Sequence, residues 1–223
     1  MSLDAIFAYA ETTNTTKPRV ARCKDDGGDS IPTVSVSVRS NDIYTQNDQF
    51  QRDVVRLIGD VATSSRARAV VVVGIPSCGG DQLVDGLVKN DDLRKCVVPM
   101  AVDDVFFNDG KYKFVGPKLL QAHTACKAKY VQLDTLSKSL AVVNNTNVHI
   151  EEIDAYAKRR FIIVRFTSED KAKVVDLCAR DTVRKLHHTV PEGIWYRMKN
   201  VPLTAYKKRF ASNLKAIVDV CIV

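Results

Sequence analysis

Hydrophobic and polar positions along the chain follow two periods, and each period predicts a different element. Residues 33–38, Thr-Val-Ser-Val-Ser-Val, alternate strictly, which predicts a half-buried strand at a sheet edge or in an arm that reaches a neighbour. From residue 47 apolar residues recur at helical spacing on one face of a predicted helix. These apolar positions are Phe50, Val54, Leu57, Ile58 and Val61. Residues 69–73, an alanine and four valines, predict a strand buried on both faces at the centre of a parallel sheet.

Strand and helix patterns continue to alternate after this central strand. The further strands are predicted at residues 96–100, 140–143 and 161–166. The further helices are predicted from residue 80 onward (with Leu83, Leu87 and Val88 on one side), at 117–139, at 150–158 and at 168–188. Alternation with short connections predicts an α/β fold with a mostly parallel, doubly wound sheet.

The chain is predicted to divide into an extension and one domain. Residues 1–46 contain two polar, turn-rich stretches and are predicted to form an amino-terminal extension or arm, whereas residues 47–223 form the α/β domain. The apolar carboxyl-terminal segment 214–223 suits either packing against neighbours or completion of the domain's own sheet.

A glycine-rich loop, Gly-Ile-Pro-Ser-Cys-Gly-Gly-Asp at residues 74–81, links the central predicted strand to the next predicted helix. In a Walker A loop, Gly-x-x-x-x-Gly-Lys-Ser/Thr, backbone N–H groups surround the phosphates, the lysine neutralises them and the hydroxyl ligates Mg²⁺. Gly74 and Gly79 have the Walker A spacing, but Gly80 and Asp81 follow where the lysine and the hydroxyl belong. Taken alone, the loop is a weak motif, and a simple strand-to-helix turn is the default interpretation.

The two exchanges are unfavourable for a bound triphosphate. Unit charges about 4 Å apart interact by roughly 4 kcal/mol at an effective dielectric constant near 20. Losing the lysine removes an attraction of that order, and the carboxylate of Asp81 adds a repulsion. We therefore expect Mg·ATP binding to be lost or badly weakened.

Three further segments carry a resemblance to a known family. Residues 103–114 contain Asp-Asp-Val-Phe-Phe and a Gly-x-Tyr-x-Phe, residues 142–147 read Val-Val-Asn-Asn-Thr-Asn, and residues 180–191 contain two arginines and end in Val-Pro. In this order, and with the glycine-rich loop, they resemble the polynucleotide-kinase-like branch of the P-loop kinases, which includes the 5′-hydroxyl kinases of nucleic-acid repair. The resemblance implies a P-loop NTPase-like three-layer sandwich.

The resemblance also implies roles for particular residues, each with a simpler alternative. Asp103 matches the general base, and Arg184 matches a lid arginine that stabilises the transferring phosphoryl group. Asn145 and Asn147 match substrate-binding positions. The positions matched to nucleotide binding are Gly74, Pro76, Ser77, Gly79, Gly80, Asp81 and Arg180. The alternatives are that Asp103-Asp104 caps the following segment and that the arginines lie on a solvated helix face.

The departures from the family pattern fall on groups that handle the nucleotide. Besides Gly80 and Asp81, the strand-end aspartate of the family's Asp-Asn-Thr-Asn is Asn144, and Phe106 stands where the active enzymes have an arginine. The pattern favours a catalytically inactive kinase-fold domain that serves in binding, structure or assembly, in a viral or organellar particle for example. The alternative is an active or nucleotide-binding 5′-kinase with an atypical loop.

The composition and the net charge of the chain limit which cofactors, partners and compartment can be expected. No cofactor is expected, and ATP and Mg²⁺ enter only under the alternative function. The six cysteines form no Cys-x-x-Cys pair and have no histidine at zinc-ligand spacing, so no metal site is expected. Protein partners in an assembly are expected, and the net charge of +7 also suits a nucleic acid. No apolar run approaches the roughly 20 residues that span a bilayer, which predicts no membrane partner. The first residues, Met-Ser-Leu-Asp, lack the basic region and apolar stretch of a secretory signal, which predicts an intracellular location, in the cytoplasm or in an assembled particle.

Overall fold

The computed structural model of this chain describes residues 20–22, 31–39, 43, 50–74, 77–108, 111–133, 139–168, 170, 172–173 and 201–223. Nine strands lie in these ranges: β1 (Val20–Arg22), β2 (Thr33–Val38), β3 (Ala69–Gly74), β4 (Val97–Met100), β5 (Phe107–Asn108), β6 (Lys111–Tyr112), β7 (Leu140–Asn144), β8 (Phe161–Ser168) and β9 (Leu214–Ile222). The α-helices among them are α1 (Arg56–Ser64), α2 (Gly80–Lys89), α3 (Leu119–Leu133) and α4 (Leu203–Arg209). A π-helical segment, Phe50–Val55, leads into α1, and short 3₁₀ turns cover Val102–Phe106, Gly116–Lys118 and Ile150–Ile153.

The main sheet confirms the predicted parallel architecture. Its order within the described residues is β1-β2-β9-β8-β3-β7-β4, and every neighbouring pair is parallel except β1 and β2. All six residues of β3 are buried, as the run of valines predicted, because β3 lies between β7 and β8 with packing on both faces. The predicted strands at 96–100, 140–143 and 161–166 are confirmed to within one or two residues.

The strand predicted in the amino-terminal extension belongs to this same sheet. β2 pairs in parallel with β9, and β9 pairs in parallel with β8. The alternation of β2 is explained by this position, since Val34, Val36 and Val38 are buried and the serines between them are half-buried. The apolar carboxyl-terminal segment therefore completes the chain's own sheet, and the alternative of packing against a neighbour is wrong for β9. The division at residue 46 stays a prediction.

The helix predicted from residue 47 is confirmed from residue 50. Its predicted apolar face, Phe50, Val54, Leu57, Ile58 and Val61, is buried throughout. The polar residues Arg56 and Asp60 on the opposite face are exposed. The first turns are π-helical and only the remainder is α-helical, a distinction that the apolar spacing does not reveal.

Two of the predicted helices differ from the structure. Residues 150–158 form a 3₁₀ turn followed by turns rather than an α-helix, with hydrogen bonds between residues three apart, such as Glu152 N–H to the carbonyl oxygen of His149. The helix predicted at 117–139 is α3, which begins at Leu119 after a 3₁₀ turn; residues 134–138 lie outside the described residues, and Ser139 is not helical. The helix predicted at 168–188 lies mostly outside the described residues; Ser168 ends β8, whereas Ala172 and Lys173 are helical as predicted.

The predicted apolar face of α2 is also wrong at one position. Leu83 and Leu87 are completely buried, but Val88 is 40% exposed. The two leucines, four residues apart, define the buried stripe, and Val88 lies about 100° further around the helix.

Helices lie on both faces of the sheet. A side chain at Gly80 in α2 would be in contact with Val72, which places α2 on the face of Val72. Arg165 points to the opposite face, since its register partner is Val73, and its Nη1 donates to the carbonyl oxygen of Val201 just before α4. Among the described residues, none of the helices is long and apolar enough to cross a membrane.

The second face of the sheet contains a half-buried ion pair. The Nε and Nη2 atoms of Arg165 donate to the two carboxylate oxygens of Asp219 at 2.8 and 2.9 Å. The side chains are 13% and 14% exposed. This bidentate pair joins β8 to β9, and the bond from Arg165 to Val201 fixes the start of the final segment to the same point.

Candidate functional site

The glycine-rich loop leaves the carboxyl end of β3 and enters α2 at Gly80. Gly74 ends the strand and its N–H donates to the carbonyl oxygen of Thr146 at 3.1 Å. Ser77 and Gly79 have positive φ angles of 64° and 109°. Pro76 lies outside the described residues. The predicted sequence of strand, loop and helix is therefore confirmed at both ends.

Gly79 is the residue at which the chain reverses before α2. Its positive φ favours glycine, and a Cβ atom there would lie 3.1 Å from Cγ2 of Ile43 and 3.4 Å from ring atoms of Phe50 and Phe166. The loop is thus packed closely against the buried end of the π-helical segment and against β8.

The strand-end residue Asn144 contacts the start of α2. Its Nδ2 atom donates a 2.6 Å hydrogen bond to Oδ1 of Asp81. Its Oδ1 atom lies so close to Gly80 that a Cβ atom on residue 80 would overlap it. Gly80 and Asp81, which depart from the Walker A pattern, and Asn144, which departs from the Asp-Asn-Thr-Asn pattern, are therefore one connected group, which we call the Asp81–Asn144 joint.

The remaining polar residues of the Asn-Asn-Thr-Asn turn also bind parts of the chain itself. Asn145 Oδ1 accepts the N–H of Val102 at 2.7 Å, and its Nδ2 donates to the sulfur of Cys126 at 3.8 Å. Asn147 is 3% exposed, and its Nδ2 donates to the carbonyl oxygen of Val72 at 2.7 Å. Its φ of 43° lies in the left-handed region, which asparagine tolerates. The turn thus connects β7 to α2, to the 3₁₀ turn at 102–106 and to β3.

Asp103, the residue matched to a general base, lies half-buried in the 3₁₀ turn that follows β4. The capping role falls to its neighbour Asp104, whose carboxylate accepts the N–H of Ala101 at 3.2 Å and lies 3.7 Å from Nζ of Lys129. The bond from Val102 to Asn145 holds the first residue of this turn against the end of β7. The sequence motifs at 74–81, 103 and 144–147 are therefore adjacent at the carboxyl edge of the sheet, as a parallel α/β sheet leads one to expect.

A buried polar cluster below the turn was not predicted. The hydroxyl of Tyr156 donates to the sulfur of Cys126 at 3.4 Å, and the hydroxyl of Tyr130 donates to the carbonyl oxygen of Tyr156 at 2.9 Å. Burial, together with the neighbouring Cys126 thiol, raises the pKa of Tyr156 far above its ordinary value. A phenol held in the neutral form acts here as a structural donor. Its sequence signal is absent, because Tyr156 lies 30 positions from Cys126 and 26 from Tyr130, which are both on α3.

The two arginines matched to the lid, Arg180 and Arg184, lie outside the described residues, so their relation to the loop stays a prediction. Within the described ranges, the structure groups no three His, Cys, Asp or Glu side chains in an arrangement that could hold a metal ion. The carboxylate nearest to the loop, Asp81, is hydrogen-bonded to an amide instead.

Substitution of Gly80 tests whether the joint exists. Alanine in place of glycine normally stabilises a helix by about 0.8–1.0 kcal/mol. We expect Gly80→Ala to destabilise the protein by about 1–2 kcal/mol instead, because the new Cβ displaces Asn144 from Asp81. Urea unfolding followed by circular dichroism measures the change.

The matched control removes the amide. In an Asn144→Ala background the same Gly80→Ala substitution no longer overlaps the amide and keeps only an ordinary contact with Val72, and we expect it to become neutral or stabilising. A Gly80→Ala effect of equal size in both backgrounds would show that residue 80 and Asn144 are not coupled.

No protein-family model matches this chain, and no curated protein is significantly similar to it in sequence. The resemblance to the polynucleotide-kinase-like group therefore depends on the motifs and on their placement alone.

Proposed function

We propose that this chain is a catalytically inactive domain of the P-loop kinase type that serves a binding, structural or assembly role. The observation that carries the proposal is the Asp81–Asn144 joint. In this account the joint takes the place of the groups that hold Mg·ATP in the active enzymes.

The joint opposes nucleotide binding in two ways. The carboxylate of Asp81 lies in the first turn of α2, where the phosphates of a bound nucleotide would approach the backbone N–H groups. The space that a lysine side chain at position 80 would enter is filled by Asn144. Both effects leave the loop as a connection between β3 and α2 that is also joined to β7 through Asn144.

The placement of the loop supports assignment to the P-loop type. In the strand order β9-β8-β3-β7-β4, the chain runs from β3 to β4, which is in one direction along the order. From β8, which is adjacent to β3, it runs to β9, which is in the opposite direction. The glycine-rich loop therefore lies where the direction of the connections reverses, which is the position at which doubly wound sheets bind ligands. A loop of this type at this position is better explained by a former phosphate site than by an ordinary turn.

The binding role is supported by the surface beside Asp103. Large apolar side chains remain substantially exposed in the segment that joins β4 to α3 and in the first turn of α3: Val105, Phe107, Phe114, Leu119 and Leu120. The ring of Phe114 lies 5.1 Å from that of the buried Phe106, which connects this surface to the core. Contiguous apolar surface is typical of protein interfaces, so a protein partner is the occupant that we propose for this segment.

A phosphoryl-transfer assay tests the absence of catalysis. We expect no transfer of the labelled γ-phosphate of ATP to a 5′-hydroxyl oligonucleotide above the level of a protein-free reaction. The Asp103→Ala variant serves as the matched control, because Asp103 is the residue matched to the general base. Transfer by the unmodified chain that is lost in Asp103→Ala would overturn the proposal and favour an active 5′-kinase.

A further inference from the structure

Basic side chains are concentrated at the end of the sheet where the parallel strands β3 and β8 begin. This end is opposite to the one that carries the glycine-rich loop. The segment 61–69 before and at the start of β3 has two arginines, and the segment 155–161 before and at the start of β8 has one lysine and two arginines. Neither segment contains an acidic residue. All five basic residues are exposed. We call this group the basic edge: Arg66, Arg68, Lys158, Arg159 and Arg160.

The basic edge is built on two adjacent strands. Ala69 of β3 is paired in register with Phe161 of β8, so the residues that precede them lie side by side. The N–H of Arg68 donates to the carbonyl oxygen of Arg160 at 2.7 Å. Since neighbouring strands are about 4.8 Å apart, the side chains of Arg68 and Arg160 start within about one strand spacing of each other.

Several contacts fix the backbone of the basic edge. Nη2 of Arg160 donates to the carbonyl oxygen of Ser65 at 2.6 Å, and Ser65 is itself buried. The carbonyl oxygen of Arg68 accepts the N–H of Ala141 in β7 at 3.0 Å. The cations are thus presented from ordered backbone, and the guanidinium of Arg160 keeps further N–H groups for a ligand.

The backbone conformation of Arg66 is a second and independent observation that supports a binding role for the basic edge. It follows α1 with a φ of 51°, and the N–H groups of Arg66 and Ala67 donate to the carbonyl oxygens of Thr63 and Ala62. This is the helix-terminating arrangement in which glycine is the usual residue, because a side chain in the left-handed region is strained. An arginine at a position that favours glycine indicates that the side chain, rather than the backbone, is what this position requires.

The chemistry of the basic edge favours a phosphate backbone. Four of its five cations are arginines, whose planar guanidinium groups bind phosphate oxygens in a bidentate manner. No large apolar side chain of these two segments is exposed, since Phe161 and Tyr156 are buried. An anionic membrane or a protein partner would be expected to engage apolar anchors, and base stacking would require exposed aromatic rings.

We propose that the basic edge binds the sugar–phosphate backbone of a nucleic acid without sequence specificity. The interaction is independent of the glycine-rich loop, because the two sites lie at opposite edges of the parallel sheet. The basic edge places five of the positive charges that contribute to the net charge of +7 together at one end of the sheet.

Fluorescence anisotropy with a labelled 20-base-pair DNA duplex tests this site between 50 and 200 mM NaCl. With five phosphate contacts, the slope of log K against log salt is expected to be about −4.5. The Arg68→Gln/Lys158→Gln variant should bind about tenfold or more weakly at 100 mM salt, with a slope reduced in size by about 2. The Lys113→Gln/Lys118→Gln variant removes the same charge from exposed positions after β4, near the opposite edge, and should bind as the unmodified chain does.

The Arg66→Gly variant separates binding from folding. Glycine relieves the strain at this position, so the melting temperature should be no lower than that of the unmodified chain, while the salt slope should fall by about 1. No binding of the duplex at 50 mM NaCl would overturn the proposal, as would equal losses in the two double variants. Binding only to vesicles of phosphatidylserine and phosphatidylcholine would also overturn it and would assign the basic edge to a membrane surface.

Discussion

Replacement of Asn144 by aspartate is expected to lower the free energy of unfolding by about 3–4 kcal/mol at pH 7. The substitution preserves the size of the side chain but turns the amide donor into a second carboxylate at hydrogen-bond distance from Asp81. It removes a hydrogen bond to a charged group, worth about 1.5–3 kcal/mol, and adds a repulsion of roughly 4 kcal/mol between unit charges 4 Å apart, part of which is relieved by movement of the side chains. Urea unfolding at pH 7 measures the loss.

The control for this prediction exchanges the two residues. In the Asp81→Asn/Asn144→Asp variant the amide and the carboxylate change places, so the hydrogen bond is restored with the opposite polarity. We expect its stability to return to within about 1 kcal/mol of the unmodified chain. If Asn144→Asp alone is as stable as the unmodified chain, the two side chains do not interact as described.

The second large effect concerns the ion pair on the other face of the sheet. Asp219→Ala is expected to lower the free energy of unfolding by about 3–5 kcal/mol, because it leaves the half-buried guanidinium of Arg165 without its carboxylate. Thermal and urea unfolding measure the change. The chain is expected to lose stability as a whole, since β8 and β9 are interior strands of the sheet.

Removal of both partners is the matched control for the ion pair. In the Arg165→Met/Asp219→Ala variant no unpaired charge remains, and an apolar side chain of similar length covers the same surface. We expect this variant to be more stable than Asp219→Ala alone. A double variant that loses the sum of the two single effects would show that the pair contributes no coupling energy.

The sequence was most informative where burial is simple and local. Four consecutive valines predict a strand with both faces covered, and β3 is such a strand. The alternation in β2 and the helical stripe of α1 likewise report which side chains face the core. The parallel architecture followed from the order of these elements and from their short connections.

Sequence periodicity predicted the wrong secondary structure where a tertiary contact determines the local conformation. The turn at 150–158 contains apolar and charged residues at plausible helical spacing, yet hydrogen bonds such as Tyr156 N–H to the carbonyl oxygen of Ile153 follow the 3₁₀ pattern. The neighbouring carbonyl of Ala157 accepts Nδ2 of Asn213, a residue 56 positions away. Single-sequence periodicity contains no information about such a distant donor.

The candidate site shows the same limit of prediction from a single sequence, because its central contact joins residues far apart in the chain. From the sequence, Asp81 is a repulsive charge in a phosphate loop and Asn144 is a separate loss of an acidic group. In the structure these residues, 63 positions apart, are hydrogen-bonded to each other, and Asn144 fills the space beside Gly80. Gly80, Asp81 and Asn144 therefore fit one another sterically and electrostatically, and together they hold the loop against the end of β7.

Calorimetric titration of the unmodified chain with Mg·ATP, and separately with Mg·GTP, up to millimolar nucleotide tests this account most directly. With Asp81 facing the phosphates and Asn144 in the space of the missing lysine, we predict no saturable heat of binding and no shift in melting temperature. Saturable binding with a dissociation constant below about 1 mM, which corresponds to about −4 kcal/mol, would contradict the account and would show that the loop still holds a nucleotide.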